Sequence, residues 1–287
     1  MGKKRTRSGI SALGILKSGL LHGMLLIYAV IVIYPMVWLV SASLKTSMEL
    51  FENPWTLPEA MQWVNYANAW TEAGIGQYFA NSVFVTSVSM FFILLIGSMA
   101  AYALARFVFP GSSAIHTAFV SGMMFPVFLS IVPLFLMLRG LGMWNNYFGL
   151  ITAYVAYSLS FTVFIMTGFF KTLPGELAEA GLIDGCSQFT AFWRIMLPLA
   201  KPGLITAGIF NFFGIWNEYP LALVIIADSN LRTLPLGIAN LMMVQHYETD
   251  WGALFAGLVM VMLPTLIVYM IFQRQITAGL TAGALKG

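Results

Sequence analysis

The sequence predicts an all-α membrane protein built as a bundle of six spanning helices. Three observations carry that prediction. Hydrophobic residues make up 59% of the 287 and charged residues only 9%. The charges gather in short clusters separated by long uncharged runs, and the basic residues sort onto one side of those runs. A soluble domain needs about 25% charged residues to cover its water-facing surface, so this composition excludes one. Length alone permits one or two domains, and the apolar content favours a single bundle.

A spanning helix needs about 20 apolar residues at 1.5 Å each. No charge falls between Lys17 and Lys45, so the first span runs from Leu20 to Ala42. The same reasoning gives spans at 81–105, 114–138, 148–170 and 253–273, and one at 203–227 that Glu218 interrupts. With a cytoplasmic N-terminus, the inner side holds Lys3, Lys4, Arg5, Arg7, Lys17, Arg106, Lys171, Arg194, Lys201, Arg274 and Lys286. The outer side holds Lys45, Arg139 and Arg232. This 11-to-3 division obeys the positive-inside rule, and an even number of spans places both termini in the cytoplasm. The basic N-terminal cluster therefore reads as a topology signal rather than a nucleic-acid arm. Ser41-Ala42-Ser43 offers small residues for signal cleavage, but the preceding apolar run is far longer than a signal-peptide core of about 7–15 residues. Pro35, Pro126, Pro133 and Pro264 fall inside spans and predict kinks, which neighbouring helices can tolerate.

Cys186 is the single cysteine, which excludes an intramolecular disulfide and a cysteine metal cluster. His22, His116 and His246 lie far apart without ligand spacing, so no catalytic, metal or cofactor residue is assigned. The chain contains no G-x-x-x-x-G-K-[ST] phosphate loop, so it does not bind nucleotide in that manner.

Three connections are long. Outer residues 46–78 carry Phe51-Glu52-Asn53-Pro54-Trp55 and an aromatic run from Trp63 to Trp70, suited to packing at the membrane interface or to an external partner. Outer residues 228–250 carry Thr233-Leu234-Pro235-Leu236-Gly237 and the apolar tip Leu241-Met242-Met243-Val244, expected to dock or to enter the membrane partly. Cytoplasmic residues 171–202 predict two short amphipathic helices at a sharp angle. Pro174 opens the first, with Glu176 and Glu179 early, where the helix dipole favours acids. Gly185 supplies a break. Ser187 caps the second helix, which places Phe189, Phe192 and Trp193 on one face until Pro198 and Pro202 stop it. Such helices can rest on the membrane plane. The small face of Ala178, Ala180, Gly181 and Gly185 suits the approach of another protein instead.

The spacing within this connection resembles a known signature. Glu179-Ala180-Gly181 is followed by three residues and Gly185, then by nine residues and Ile195-Met196-Leu197-Pro198. Permease subunits of ABC importers carry a cytoplasmic loop of that form, with alanine where Gly181 stands. The substitution costs up to about 1 kcal/mol of helix propensity and keeps the expected docking face small. Ala100-Ala101-Tyr102-Ala103-Leu104-Ala105-Arg106, Trp216-Asn217-Glu218-Tyr219 and the tail from Gly279 to Gly287 extend the resemblance over nearly the whole chain. It is similar to carbohydrate-importer permeases related to the second, six-span permease of the maltose transporter.

The resemblance implies the type I ABC importer transmembrane fold. Residues 1–76 would form the cytoplasmic arm, first span and outer loop, 77–275 the permease core, and 276–287 a cytoplasmic tail. The loop 171–202 would be a coupling element seated in an ATPase cleft through Glu179, Ala180, Gly181, Asp184, Gly185, Ile195, Leu197 and Pro198. Glu179 would pair with a basic residue there, and Gly185 would set the bend. Gly279, Thr281, Gly283 and Lys286 would reach toward the ATPase dimer, which would bind ATP and Mg and drive the bundle from inward-open to outward-open. A second permease would complete the pathway. An extracytoplasmic sugar-binding protein would receive the 228–250 loop, and no nucleic acid is implied.

Glu218 raises a separate question. A carboxylate at the centre of a span costs a few kcal/mol and must face the bundle interior or a watery cavity. Either Trp216, Asn217, Glu218 and Tyr219 line a sugar pathway, or Glu218 fixes packing. In the resembling maltose system the partner permease provides the sugar contacts. Two other function classes remain open at this level. An ion-coupled secondary transporter powered through Glu218 would usually show several buried ionisable groups and internal repeats, which this chain lacks. A membrane scaffold would show no substrate-dependent ATPase stimulation.

Overall fold

In lipid, a backbone satisfies its own polar groups by forming helix. In the computed structural model, residues 12–244 and 250–284 are described, and every regular element among them is helical. Lys3, Lys4, Arg5, Arg7, His246 and Lys286 lie outside the described residues.

The first long run forms α1 (Ala12–Ala42), followed by the short outer helices α2 (Ser47–Glu52) and α3 (Val64–Thr71). Next come α4 (Ile75–Arg106), α5 (Ser112–Met124), α6 (Val127–Gly140) and α7 (Tyr147–Thr172). The connection after α7 folds as α8 (Glu176–Ile183), α9 (Gln188–Ala191), a π-helical turn (Phe192–Met196) and α10 (Leu197–Leu199). The chain then continues through α11 (Lys201–Trp216), α12 (Pro220–Ile225), α13 (Leu234–Val244) and α14 (Trp251–Ala284).

Four helices, α1, α4, α7 and α14, are long and apolar enough to cross a membrane, and two bent pairs raise the number to as many as six. The bent pairs are 112–124 with 127–140 and 188–199 with 201–216, the second at 74°. The span expected at 114–138 breaks between α5 and α6 at 106°. Phe125 is extended there (φ −78°, ψ 123°), as the residue before a proline tends to be, and Pro126 brings no N–H to continue the ladder. The span expected at 203–227 ends at Trp216 and resumes as the separate helix α12. Pro35, Pro133 and Pro264 lie inside continuous helices, so only Pro126 of the four expected kinks becomes a break.

Three clusters of buried side chains lie in sequence along α4. At its start, Ile75 packs with Ala69, Trp216, Leu234, Ile238 and Leu254. Midway, Val85 and Ile93 join Leu150, Tyr154, Ile215 and Ile225. At its end, Ala101 and Tyr102 join Met166, Phe170, Phe192 and Met196. The α4–α7 pair is the spine of the bundle, and it closes on small residues: a Cβ at Gly97 would lie 2.5 Å from the Thr162 methyl group. Small residues allow the backbone approach on which helix packing in membranes depends.

The outer segments are built onto this frame rather than hanging free. Thr46 and Glu49 form a reciprocal capping box at α2. The Glu49 carboxylate also accepts the Glu59 amide at 2.9 Å. The backbone amide of Thr46, and after it that of Glu59, hold the Glu49 carboxyl below its ordinary pKa. Lys45 is fully buried and donates to the Asn53 carbonyl at 2.6 Å and to Thr56 Oγ1 at 3.2 Å. Trp38 donates to the Pro54 carbonyl at 2.8 Å. Within the 228–250 loop expected to dock, residues 234–244 form the helix α13. Asn81 donates to the carbonyls of Asn230 and Arg232 at 2.8 and 2.9 Å, and Ser82 Oγ accepts the Leu234 amide at 2.7 Å. Gly237 faces Tyr78 so closely that a Cβ would overlap its ring. Met242 and Met243 stay exposed at the end of α13.

Candidate functional site

Pro174 forces Leu173 into an extended conformation (φ −76°, ψ 141°), which ends α7 and frees the Leu173 carbonyl. Arg106, at the end of α4, donates its Nη2–H to that carbonyl at 2.6 Å. α8 then opens with Glu176 and Glu179 in its first turn. It closes at Gly185 (φ +87°), a left-handed conformation that glycine adopts without strain. The Cys186 amide returns to the Gly181 carbonyl at 2.9 Å, and the Gly185 amide to that of Leu182 at 3.1 Å, so two C-terminal carbonyls are satisfied. Ser187 Oγ accepts the Thr190 amide at 3.1 Å and starts α9.

Three expectations for this element are corrected. Gly181 is buried and turned inward, where a Cβ would lie 2.5 Å from Ile195 Cδ1, so it packs α8 down rather than keeping the outer face small. Pro198 does not stop the second helix, which runs to Leu199. The π turn at Phe192–Met196 widens the helix ahead of the proline ring, where an α-turn would press the ring against the Arg194 carbonyl. Phe192 does not share a face with Phe189 and Trp193. It is buried between Tyr102 and Phe170 (ring centroids 5.1 and 6.4 Å), while Phe189 is 63% and Trp193 36% exposed.

The predicted coupling residues thus divide in two. Glu179, Ala180, Asp184, Gly185 and Pro198 are exposed, and Ile195 and Leu197 pack against the buried cluster at the end of α4. Ile183, 86% exposed, stands at the tip with Leu177 on the same short helix. The result is a firmly seated element with an apolar tip and an acidic rim. Gly279, Thr281 and Gly283 lie in the last turns of α14.

The second candidate region is the break between α11 and α12. Asn217 folds its amide back onto the Phe213 carbonyl at 3.0 Å, and Pro220 starts α12 where a missing N–H costs nothing. Glu218 reaches forward across the break. Its Oε1 accepts the Leu221 amide at 2.7 Å, and its Oε2 accepts the Ala222 amide at 3.1 Å and the Tyr154 hydroxyl at 2.7 Å. The carboxylate therefore caps α12 and ties it to α7.

The four residues expected to line a pathway do not share one surface. Glu218 borders a cavity of about 330 Å³ between α5, α7 and α11. Trp216 is buried on the other side, stacked on Phe212 and donating to the Val261 carbonyl at 3.2 Å. Tyr219 packs on the middle cluster, and Asn217 is exposed. Tyr154, Tyr157 and Asn211 line the cavity and were not singled out from the sequence. Asn211 is the one amide side chain in the apolar run of α11, and that isolation is the signal that marks it. Among the described residues, no three His, Cys, Asp or Glu side chains converge to hold a metal.

The family model of binding-protein-dependent transport system inner membrane components matches residues 93–281. The chain belongs to this family. That match covers α5 to α13 and most of α14, so the permease carries both regions described above. It is 44% identical over 265 residues to a diacetylchitobiose uptake system permease of Streptomyces coelicolor, covering 92% of this chain and 88% of the relative. A trehalose transport system permease of Mycobacterium tuberculosis is 33% identical over 253 residues, covering 88% of this permease and 92% of that one. Among solved structures, a chain of a bacterial ABC transporter involved in import of the acidic polysaccharide alginate superposes with a TM-score of 0.84 at 22% identity. It covers 92% of this permease and 98% of that chain. This likeness gives the permease the ABC importer transmembrane fold, with several apolar helices to cross the membrane.

Proposed function

We propose that this permease is one transmembrane subunit of an ATP-driven, binding-protein-dependent importer of sugars or oligosaccharides. It crosses the membrane six times with both termini in the cytoplasm, α5 with α6 serving as one span and α11 with α12 as another. A second permease completes the pathway, an ATPase dimer supplies the energy, and an extracytoplasmic sugar-binding protein delivers the substrate. The relatives that transport diacetylchitobiose and trehalose support the substrate class. A second solved neighbour, at TM-score 0.65, is an alginate transporter in complex with a periplasmic binding protein, which supports that partner.

The observation that carries the coupling role is the construction of α8. Its outer surface offers Leu177, Glu179, Ala180 and Ile183, while Arg106 and Phe192 seat the whole element on α4 and α7. An exposed apolar tip with an acidic rim is suited to a cleft with basic walls. Glu179→Lys reverses the charge at that rim without touching the buried side. In proteoliposomes of the assembled complex, this variant is expected to keep hydrolysing ATP while sugar uptake falls at least tenfold. Uptake at the unaltered rate would remove the coupling role. Thiol labelling of Cys186 only from outside the cell would overturn the six-span topology.

A further inference from the structure

The cavity between α5, α7 and α11 holds an amide, a carboxylate and tyrosine hydroxyls beside its aromatic faces. One groove against α14 is walled only by hydrocarbon and aromatic groups, among them Met90, Leu94, Ile209 and Phe272. The α5–α7–α11 cavity combines aromatic faces with hydrogen-bonding groups. Tyr157 lines the space and is 58% exposed. Asn211 is held by one N–H bond to Thr162 Oγ1 at 2.8 Å, which leaves its second N–H and its carbonyl oxygen for a ligand. Phe161 and Phe210, edge to face at 5.7 Å, form an apolar wall. Glu218 closes the space beside Tyr154, its carboxylate already committed to three hydrogen bonds.

Mostly apolar walls with a few convergent polar groups form the usual composition of a small-molecule site, and the volume of about 330 Å³ is in the range such sites occupy. A sugar ring matches the arrangement. Its C–H face carries slight positive charge and sits well on the negative face of an aromatic ring, while its hydroxyls both donate and accept toward an amide. Charge narrows the class. The lining holds one carboxylate and no Lys, Arg or His. Two like charges about 6 Å apart in a medium of effective dielectric near 20 repel by about a hundredfold in binding constant.

We propose that this cavity is a subsite for an uncharged sugar ring, gripped by Tyr157 and Asn211 and closed to sugar acids by Glu218. The assignment rests on the reading of the chain as a sugar permease and goes further, by placing a sugar contact within this subunit and fixing the charge of the sugar.

The test uses the complete complex in proteoliposomes, with Cys186→Ser and Gly214→Cys in this chain and a small uncharged methanethiosulfonate reagent; Gly214 lines the cavity, and a Cβ there meets no neighbour within 4 Å. The probes are diacetylchitobiose and trehalose as neutral disaccharides, and a mannuronate disaccharide as the acid. At saturating concentration, at least one neutral probe is expected to slow labelling of residue 214 about fivefold or more, and the acid to leave it unchanged. Adding Asn211→Ala is expected to raise the protecting concentration about tenfold at most, the worth of one hydrogen bond. No labelling without sugar, equal labelling with and without either neutral probe, or equal protection by the acid would each overturn the subsite. ATP-driven uptake by the unaltered complex separates the two readings. Uptake without protection sinks the subsite alone, and protection without uptake sinks the import reading while the subsite stands.

Discussion

Replacing Glu218 with alanine tests whether the carboxylate is a scaffold element. Leu221 and Ala222 are 3% and 0% exposed, and their amides are satisfied by the two carboxylate oxygens. Glu218→Ala leaves both amides and the Tyr154 hydroxyl without their partner. A buried polar group stripped of its partner costs about 1–3 kcal/mol. The neighbouring cavity lets water reach part of this region, so about 3 kcal/mol in total is a reasonable expectation. At 1.4 kcal/mol per tenfold, that loss is about a 150-fold fall in local protection. Hydrogen exchange of the amides across 220–225, measured on the purified complex, reads it directly. Glu218→Gln keeps one acceptor and is expected to fall between the two. If exchange in α12 is unchanged by the alanine variant while uptake collapses, the capping argument is wrong and Glu218 acts on the substrate itself.

Other consequences follow from specific contacts. Gly237→Ala forces a Cβ into the Tyr78 ring and is expected to cost about 1–3 kcal/mol, seen as faster tryptic cleavage at Arg232. Unchanged cleavage would show that α13 can shift on α4. Arg106→Ala removes a charge-assisted bond to the Leu173 carbonyl worth about 1.5–3 kcal/mol, so amides of 173–178 are expected to exchange faster while those of 150–160 do not. Glu49 has a folded pKa below its unfolded value, so its stabilisation of α2 is present above the ordinary glutamate range near 4.3 and is lost as pH falls through the lower folded value. Exchange across 47–52, corrected for its intrinsic pH dependence, is expected to be less protected at pH 3 than at pH 6. The opposite order would refute the cap.

The helical class and most span positions were legible because lipid leaves few alternatives to uncharged runs of this length. So were the Gly185 turn and the Ser187 cap, since each depends on one residue whose chemistry is local. The two breaks, after α5 and after α11, were harder. Pro126 and Pro133 look alike in sequence, yet only Pro126 becomes a break, between two helices that meet at 106°. Glu218 was legible as a costly group, but its role depended on Leu221, Ala222 and Tyr154, the last of them 64 residues away. Gly181 was misjudged because helical spacing alone does not say which side of a short helix faces Ile195. Lys45 gave no sign of burial, since the carbonyl that receives it comes from a turn beyond α2.

The seat of α8 has a geometric consequence. Arg106 holds the chain where α7 ends, and Phe192 is wedged between one ring of α4 and one of α7. A displacement of α8 would therefore be passed on to both rods. Their 32 and 26 residues make them about 48 and 39 Å long at 1.5 Å per residue. A tilt of about 5° at the α8 end would sweep the far end of α4 through about 4 Å. Small strokes at one surface are thereby magnified at the opposite one.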